Sequence, residues 1–159
     1  MKLNFNVGLI DNKIIYFIML GMTFFISGCS DKSVTSINDP NTTGTGRWYT
    51  KQQVIEGKKI YLVNCISCHN KNAVGTFNWK KKLVDGSYPP PPLNGTAHAW
   101  HHPMPALLKT ISEGGINIGG KMPAFKGVIN DDGMIAVVAY FQHYWGDEIY
   151  DRWYKSNQK

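Results

Sequence analysis

Acidic residues are scarce in this sequence, cysteines are scarcer, and no apolar run is long enough to cross a membrane. Eleven Asp and Glu stand against 17 Lys and Arg, a formal net charge of +6 over 159 residues. A basic surface favours encounters with acidic partners or anionic lipid through long-range attraction. Nucleic acid is the other reading of a basic chain, but Lys80–Lys82 is the only dense basic run and no nucleic-acid motif accompanies it. A solvated basic face accounts for that run as well as a docking patch does. The longest apolar run, Ile14–Ile26, has 13 residues, whereas a membrane-spanning helix needs roughly 20. Internal repeats and heptads are missing too, which excludes a solenoid or a coiled coil. The length suits one modest domain. Aromatics, by contrast, are plentiful: five Trp, eight Tyr and seven Phe exceed what so small a core needs, and a flat apolar cofactor would absorb them.

The 13-residue run follows Lys2 and Lys13 and has the form of the apolar core of a secretory signal. Ile26-Ser27-Gly28-Cys29 resembles the lipobox of bacterial lipoproteins, whose cysteine receives lipid and becomes the new N-terminus. The alternative is an uncleaved anchor helix with an incidental cysteine. Residues 1–28 are therefore expected to be a signal peptide and Cys29 the lipidation site. The body is expected to be exported and membrane-anchored, facing the periplasm or the cell exterior of a bacterium. Ser30, rather than Asp, after the cysteine favours the outer membrane. Residues 29–47 are rich in Ser, Thr, Asn and Gly and read as a flexible polar tether.

Cys65-Ile66-Ser67-Cys68-His69 is the strongest signal in the chain. Two thiols three positions apart on one helical turn can add to the two vinyl groups of a haem, and the adjacent His69 can then bind the iron. A thioredoxin-like pair would need a preceding strand, and none is readable. A zinc site recruiting His98 and His102 would span 29 residues from Cys68, beyond the spacing of about 12–15 in a compact finger. Neither rival has a use for a histidine directly after the second cysteine. The segment Thr50–Asn64 is predicted to be a helix capped by Thr50, with Val54, Ile55, Lys58, Tyr61 and Leu62 at helical spacing. Gly57 lies inside it, at a cost of about 1 kcal/mol relative to Ala, which implies the close approach of a second helix.

Gly57, Tyr61 and Cys65, spaced four apart and leading into the Cys-x-x-Cys-His motif, resemble the first helix of the class I, mono-haem cytochromes c. The resemblance covers residues 48–150, the expected cytochrome domain, with 151–159 left as a C-terminal tail. It implies an all-α fold of few helices wrapped around one covalently bound haem c. It also implies that Gly57 and Tyr61 pack against Tyr140 of the last helix. A helix over Asp131–Trp145 fits that role, with Asn130 as N-cap and Ile135, Val138, Phe141 and Trp145 on one apolar face. The pattern Pro-x-Leu-x-Gly, with Leu93 and Gly95, is similar to the family segment whose proline carbonyl accepts the proton of the ligand histidine. That assigns Pro91, with Pro92 the alternative. Met122, on a glycine-rich loop ahead of the last helix, matches the family's second axial ligand. Met104, His98 and His102 are the other possibilities, and Met104 opens a segment, Ala106–Glu113, that reads as a short helix.

Two stretches depart from the family pattern. Lys71–Tyr88 is longer than in compact members. The segment Thr96–Met104 gathers His98, His101, His102 and Met104, which would suit copper; the plainer account is a surface loop over the haem edge with Trp100 near the propionates. The resulting expectation is an electron carrier and not an enzyme, with no small-molecule substrate at the iron because both axial positions are filled. Its partners would be redox proteins with acidic docking surfaces, and the membrane through the lipid anchor. The alternatives are a cytochrome subunit through which electrons enter a larger oxidoreductase, or a haem sensor or peroxidase.

Overall fold

The structure, a computed structural model, describes residues 46–158. The expected signal segment, Cys29 and nearly all of the expected tether lie outside the described residues. Among the described residues five α-helices follow one another: α1 (Lys51–Asn64), α2 (Ile66–His69), α3 (Met104–Glu113), α4 (Asp131–Gln142) and α5 (Asp147–Asn157). Three single 3-10 turns lie between them, at Lys71–Ala73, Ala99–His101 and Ile116–Ile118. The described residues hold no β-strand, only an isolated bridge between Lys126 and Ile129. The all-α expectation holds.

Helix α1 starts on a capping box. The Thr50 side chain accepts from the Gln53 backbone N–H at 3.1 Å, and the Gln53 side chain accepts from the Thr50 N–H at 2.9 Å. Its buried residues are Gly57 and Tyr61. Ile55 and Leu62, which the helical spacing placed on the apolar face, are about half exposed, at 51% and 47%. The difference arises because glycine, not a large apolar residue, marks the line of contact. A Cβ on Gly57 would lie 1.9 Å from the Ala136 carbonyl oxygen of α4. The two backbones touch there, and side chains flanking the line are displaced outward.

Helix α4 is buried over nearly its whole circumference, including Gly133, Met134 and every residue from Ala136 to Gln142, rather than along one face. Helix α1 covers one side, and α3, Trp48 and the aromatic residues after α4 take the others. Asn130 caps it by accepting from the Gly133 N–H at 2.8 Å, and Asp131 and Asp132 complement the positive end of its dipole. The helix ends at Gln142, short of the expected Trp145. Trp145 leaves the helical path, is fully buried, and donates its indole N–H to the Leu93 carbonyl at 2.7 Å.

The residues expected to form a tail do not trail away. Helix α5 runs through Asn157, burying Tyr150 and Trp153. Trp153 donates to the His102 carbonyl at 2.8 Å, and Asn157 accepts from the Met104 N–H at 3.0 Å. On its other side α5 receives the chain entering α1. Trp48 N–H donates to the Tyr150 hydroxyl at 2.7 Å, Arg47 lies 4.0 Å over the Tyr150 ring, and Arg47 also reaches Asp147 and the Trp145 carbonyl. The boundary expected at residue 150 falls inside this helix.

Candidate functional site

Cys65 closes α1, and Cys68 and His69 lie on the single turn of α2. No disulfide engages Cys65 or Cys68, so both sulfurs are available for attachment. Burial, and secondarily the neighbouring Cys68, push the Cys65 thiol up to about 11. His69 is buried, and its Nδ1 lies 2.9 Å from the Pro91 carbonyl oxygen. A carbonyl can only accept, so the ring proton belongs on Nδ1 and Nε2 keeps its lone pair. Burial holds the His69 pKa below its usual value, against the opposing pull of the Pro91 bond, so the neutral ring is favoured. A neutral imidazole fixed through its far nitrogen is what metal ligation at Nε2 requires. With two thiols one turn apart beside it, this donor set fits a haem held by Cys65 and Cys68 and ligated by His69.

Non-local contacts hold this arrangement. The Gly75 N–H donates to the His69 carbonyl at 2.8 Å, and the Ala73 carbonyl accepts from Leu93 at 2.8 Å and Asn94 at 3.2 Å. Gly75 has φ +58°, and a Cβ there would sit 2.4 Å from the Pro91 carbonyl carbon. Only glycine lets the prolines lie so near His69. Ala73 itself has φ +58°, a costly conformation for a residue with a Cβ, and its two accepted hydrogen bonds hold it. Behind the motif, Tyr61 donates to the Asn70 carbonyl at 2.9 Å and stands 4.9 Å from Tyr140, ring centroid to ring centroid. Gly57, Tyr61 and Tyr140 thus share one contact, the α1–α4 crossing that fixes where Cys65 emerges.

Met122 is half-buried on a loop hung from the C-terminal end of α3. Its carbonyl accepts from Gly115 at 2.9 Å, and Phe125 N–H donates to the Ile111 carbonyl at 3.1 Å. Gly114 (φ +81°) lets the loop pass so close that a Cβ would lie 2.7 Å from the Met122 carbonyl oxygen. The insertion at Lys71–Tyr88 braces the same loop. Tyr88 N–H donates to the Gly119 carbonyl at 2.8 Å, and Asp85 pairs with Lys121, whose ammonium holds the Asp85 carboxyl well below the usual carboxylate range with help from Ser87. Met104, the other sulfur weighed from sequence, is the first residue of α3 with its N–H bound by Asn157.

The histidine-rich loop is tied to the insertion. His98 stacks on Trp79 with centroids 4.8 Å apart and meets His102 edge-on at 5.3 Å, while His101 stacks on Trp100 at 3.7 Å. Among the described residues, no group of three or more His, Cys, Asp or Glu is gathered as a metal site. Sequence reasoning missed Trp79 and Asp85 and placed Trp145 on a helix face without its bond to Leu93, because these roles depend on partners 19 to 52 positions away.

Compared with protein-family models, residues 52–141 match the family described as cytochrome c oxidase, cbb3-type, subunit III. No curated protein and no solved structure matches the chain.

Proposed function

Since the chain belongs to this family of class I, mono-haem cytochromes c, with the match covering more than half of it, we propose that it is an electron carrier holding one haem through Cys65 and Cys68, with His69 and Met122 as axial ligands. Family membership itself makes it an all-α haem c protein that works in electron transfer with redox partner proteins. Bound there, haem c supplies reversible one-electron exchange between ferrous and ferric iron. The chain's own residues do the rest. The Pro91 carbonyl keeps the proton of His69 on Nδ1, so Nε2 can donate to iron. The prolines, stiff and seated against Gly75, hold that carbonyl in place. The α1–α4 crossing fixes the two thiols, and the hydrogen bonds from α3 set the Met122 loop. The buried His69 with Nδ1 2.9 Å from Pro91 O carries this reading.

The ferric protein should show a weak absorption band near the red end of the visible spectrum, lost in Met122→Ala. The ferrous parent should bind carbon monoxide slowly or incompletely at neutral pH. Rapid and full binding by the parent would refute six-coordination and revive the sensor or peroxidase reading. Export, with lipid on Cys29 and the body facing the periplasm or cell exterior, is part of the same proposal and rests on the Ile-Ser-Gly-Cys motif. A second reading is favoured by the family's own description as a subunit of an oxidase: the protein works as the cytochrome through which electrons enter a larger oxidoreductase. Co-purification with a catalytic partner from native membranes distinguishes the two.

A further inference from the structure

The insertion carries its most exposed apolar side chains on either side of its lysines. Phe77 is 96% exposed and Val84 110%, and Leu83 beside it is 43% exposed. Side chains this free touch almost nothing of the protein. They are tips, unlike the walls of a cofactor pocket, which have protein on their flanks. Between them lie Trp79 and the run Lys80, Lys81 and Lys82. Lys80 Nζ lies 5.2 Å from the Trp79 ring centroid and Lys82 Nζ 5.3 Å from that of Tyr88, so these cations sit against aromatic faces. The one acid in the segment, Asp85, is engaged by Lys121 and Ser87, and among the described residues no carboxylate pairs with the three lysines.

The segment is also braced. Lys81 N–H closes a turn on the Asn78 carbonyl at 2.9 Å, Leu83 N–H bonds the Ser87 carbonyl at 2.8 Å, Trp79 stacks on His98, and Tyr88 is tied to Gly119. A solvated basic loop has no need to hold Phe and Val out into water. A protein partner would need a pocket shaped for each of these tips, since interface anchors act by filling well-packed pockets. Protruding apolar tips between lysines and aromatics suit instead a surface that yields to any shape and carries negative charge. That is the interfacial pattern of a membrane-surface element, with apolar side chains below the headgroups and lysines level with them.

We propose that residues 77–84 form a membrane-docking loop that inserts Phe77 and Val84 among the headgroups of an anionic lipid surface, with Lys80, Lys81 and Lys82 binding those headgroups. The loop acts beside the lipid on Cys29 as a second attachment, so the inference builds on the export and lipidation reading. Each lysine near an anionic surface improves partition by roughly fivefold, and the three together by on the order of a hundredfold at low salt. Two attachment points, the lipid on Cys29 and the loop on the domain itself, also restrict how the domain can turn above the membrane.

The test uses the full-length, haem-loaded protein with Val84→Cys carrying a polarity-sensitive fluorophore. It is reconstituted in vesicles of phosphatidylcholine alone and of phosphatidylcholine with about one third phosphatidylglycerol, a composition set to give a clearly negative surface. The docking loop predicts a blue shift and brighter emission in the anionic vesicles only, reversed by high salt and lost when Lys80, Lys81 and Lys82 are changed to Gln. Phe77→Ala should halve the response or more. Emission unchanged between the two vesicle types overturns the proposal, as does a shift that survives the glutamine changes, or one that appears only when an acidic redox protein is added. The thiol content of the parent keeps the underlying reading separate. A loaded and lipidated parent offers no reactive cysteine, whereas a reactive one means that the assignment of Cys29, Cys65 or Cys68 has failed. In that case co-sedimentation of the unlabelled chain with preformed anionic vesicles, compared with the chain in which Lys80, Lys81 and Lys82 are changed to Gln, still reports on the loop.

Discussion

Gly57→Ala separates two physical effects of opposite sign at one position. At an exposed site inside a helix, replacing glycine by alanine gains about 1 kcal/mol, because the unfolded chain loses freedom and the helix gains propensity. Here the new Cβ would stand 1.9 Å from the Ala136 carbonyl oxygen and 2.4 Å from its carbon, when real Cβ contacts stay beyond 3.0 Å. Helix α1 or α4 must therefore retreat by at least about 1 Å, and the obstacle is backbone, which cannot swing aside as a side chain can. Helix α4 has no free side to retreat into, since it is buried on nearly all its circumference. Overpacking of this kind costs about 1–3 kcal/mol and sometimes more, which outweighs the propensity gain and also opens the Tyr61–Tyr140 contact. With the opened aromatic contact adding about 0.5–1.5 kcal/mol and the propensity gain taking away about 1 kcal/mol, the expected net loss is about 0.5–3.5 kcal/mol, a fall in Tm of on the order of 3–20 °C. Denaturant titration of the haem-loaded protein, followed by far-ultraviolet circular dichroism, measures it. Lys58→Ala, next in sequence but exposed, serves as control and should stay within about 0.5 kcal/mol of the parent. A Gly57→Ala protein as stable as the parent, or more so, would refute the reasoning that the two helices meet backbone to backbone.

Gly75→Ala places a Cβ 2.4 Å from Pro91 C and Pro92 N at a φ of +58°; it should push the Pro91 carbonyl off His69, cost about 1–3 kcal/mol, and raise the reduction potential measured by voltammetry, because a less strongly hydrogen-bonded imidazole is the poorer donor to ferric iron. Trp145→Phe leaves the Leu93 carbonyl without its indole partner and should destabilise by about 1–3 kcal/mol, read as a lower denaturant midpoint with an unchanged slope. The His98 pKa is held below its usual value by burial, then by His102, His101 and Lys80. The unfolded chain therefore takes up the His98 proton first on acidification, so stability is whole above about pH 6.5 and falls as pH drops from there toward the lower folded value. Stability measured at pH 7.5 and 5.5 should differ less in His98→Phe, which keeps a ring on Trp79, than in the parent; an equal difference would exclude His98 as a contributor.

Local signals carried far in this chain. Thr50 and Asn130 cap helices where their side chains and the following periodicity said they would, because capping is decided within four residues. A glycine inside α1 told of a close helix approach, and Ala136 supplies it. The juxtaposition of His69 and Pro91, 22 residues apart, could be read only through likeness to other sequences, since nothing local to either residue points at the other. The apolar faces of α1 and α4 were less legible. Hydrophobic spacing reports which side chains prefer burial, but the path of the contact was set by the smallest residue, so Ile55 and Leu62 ended up half exposed. The insertion could not be read at all. Asp85 and Lys121 are 36 residues apart, and Trp79 and His98 are 19 apart, and such pairs exist only once the Met122 loop and the histidine loop have been placed by other contacts.

Helix α5 shows a different kind of omission, because its signal was present. Asp147 and Glu148 after Gly146 suit a helix start, Ile149, Tyr150 and Trp153 make one apolar face, and Lys155 suits the negative end. Reading the chain by likeness to compact cytochromes stopped at α4 and left this face without a use. Its partner is what matters for the site. By binding the Met104 N–H through Asn157 and the His102 carbonyl through Trp153, α5 fixes the start of α3 and commits Met104 to a helix end. Of the two sulfurs that precede a proline, only Met122 is then left on irregular backbone, where a loop can adjust its approach to a metal. The choice between them, made from sequence on position alone, thus gains a physical argument from an element that the sequence reading had passed over.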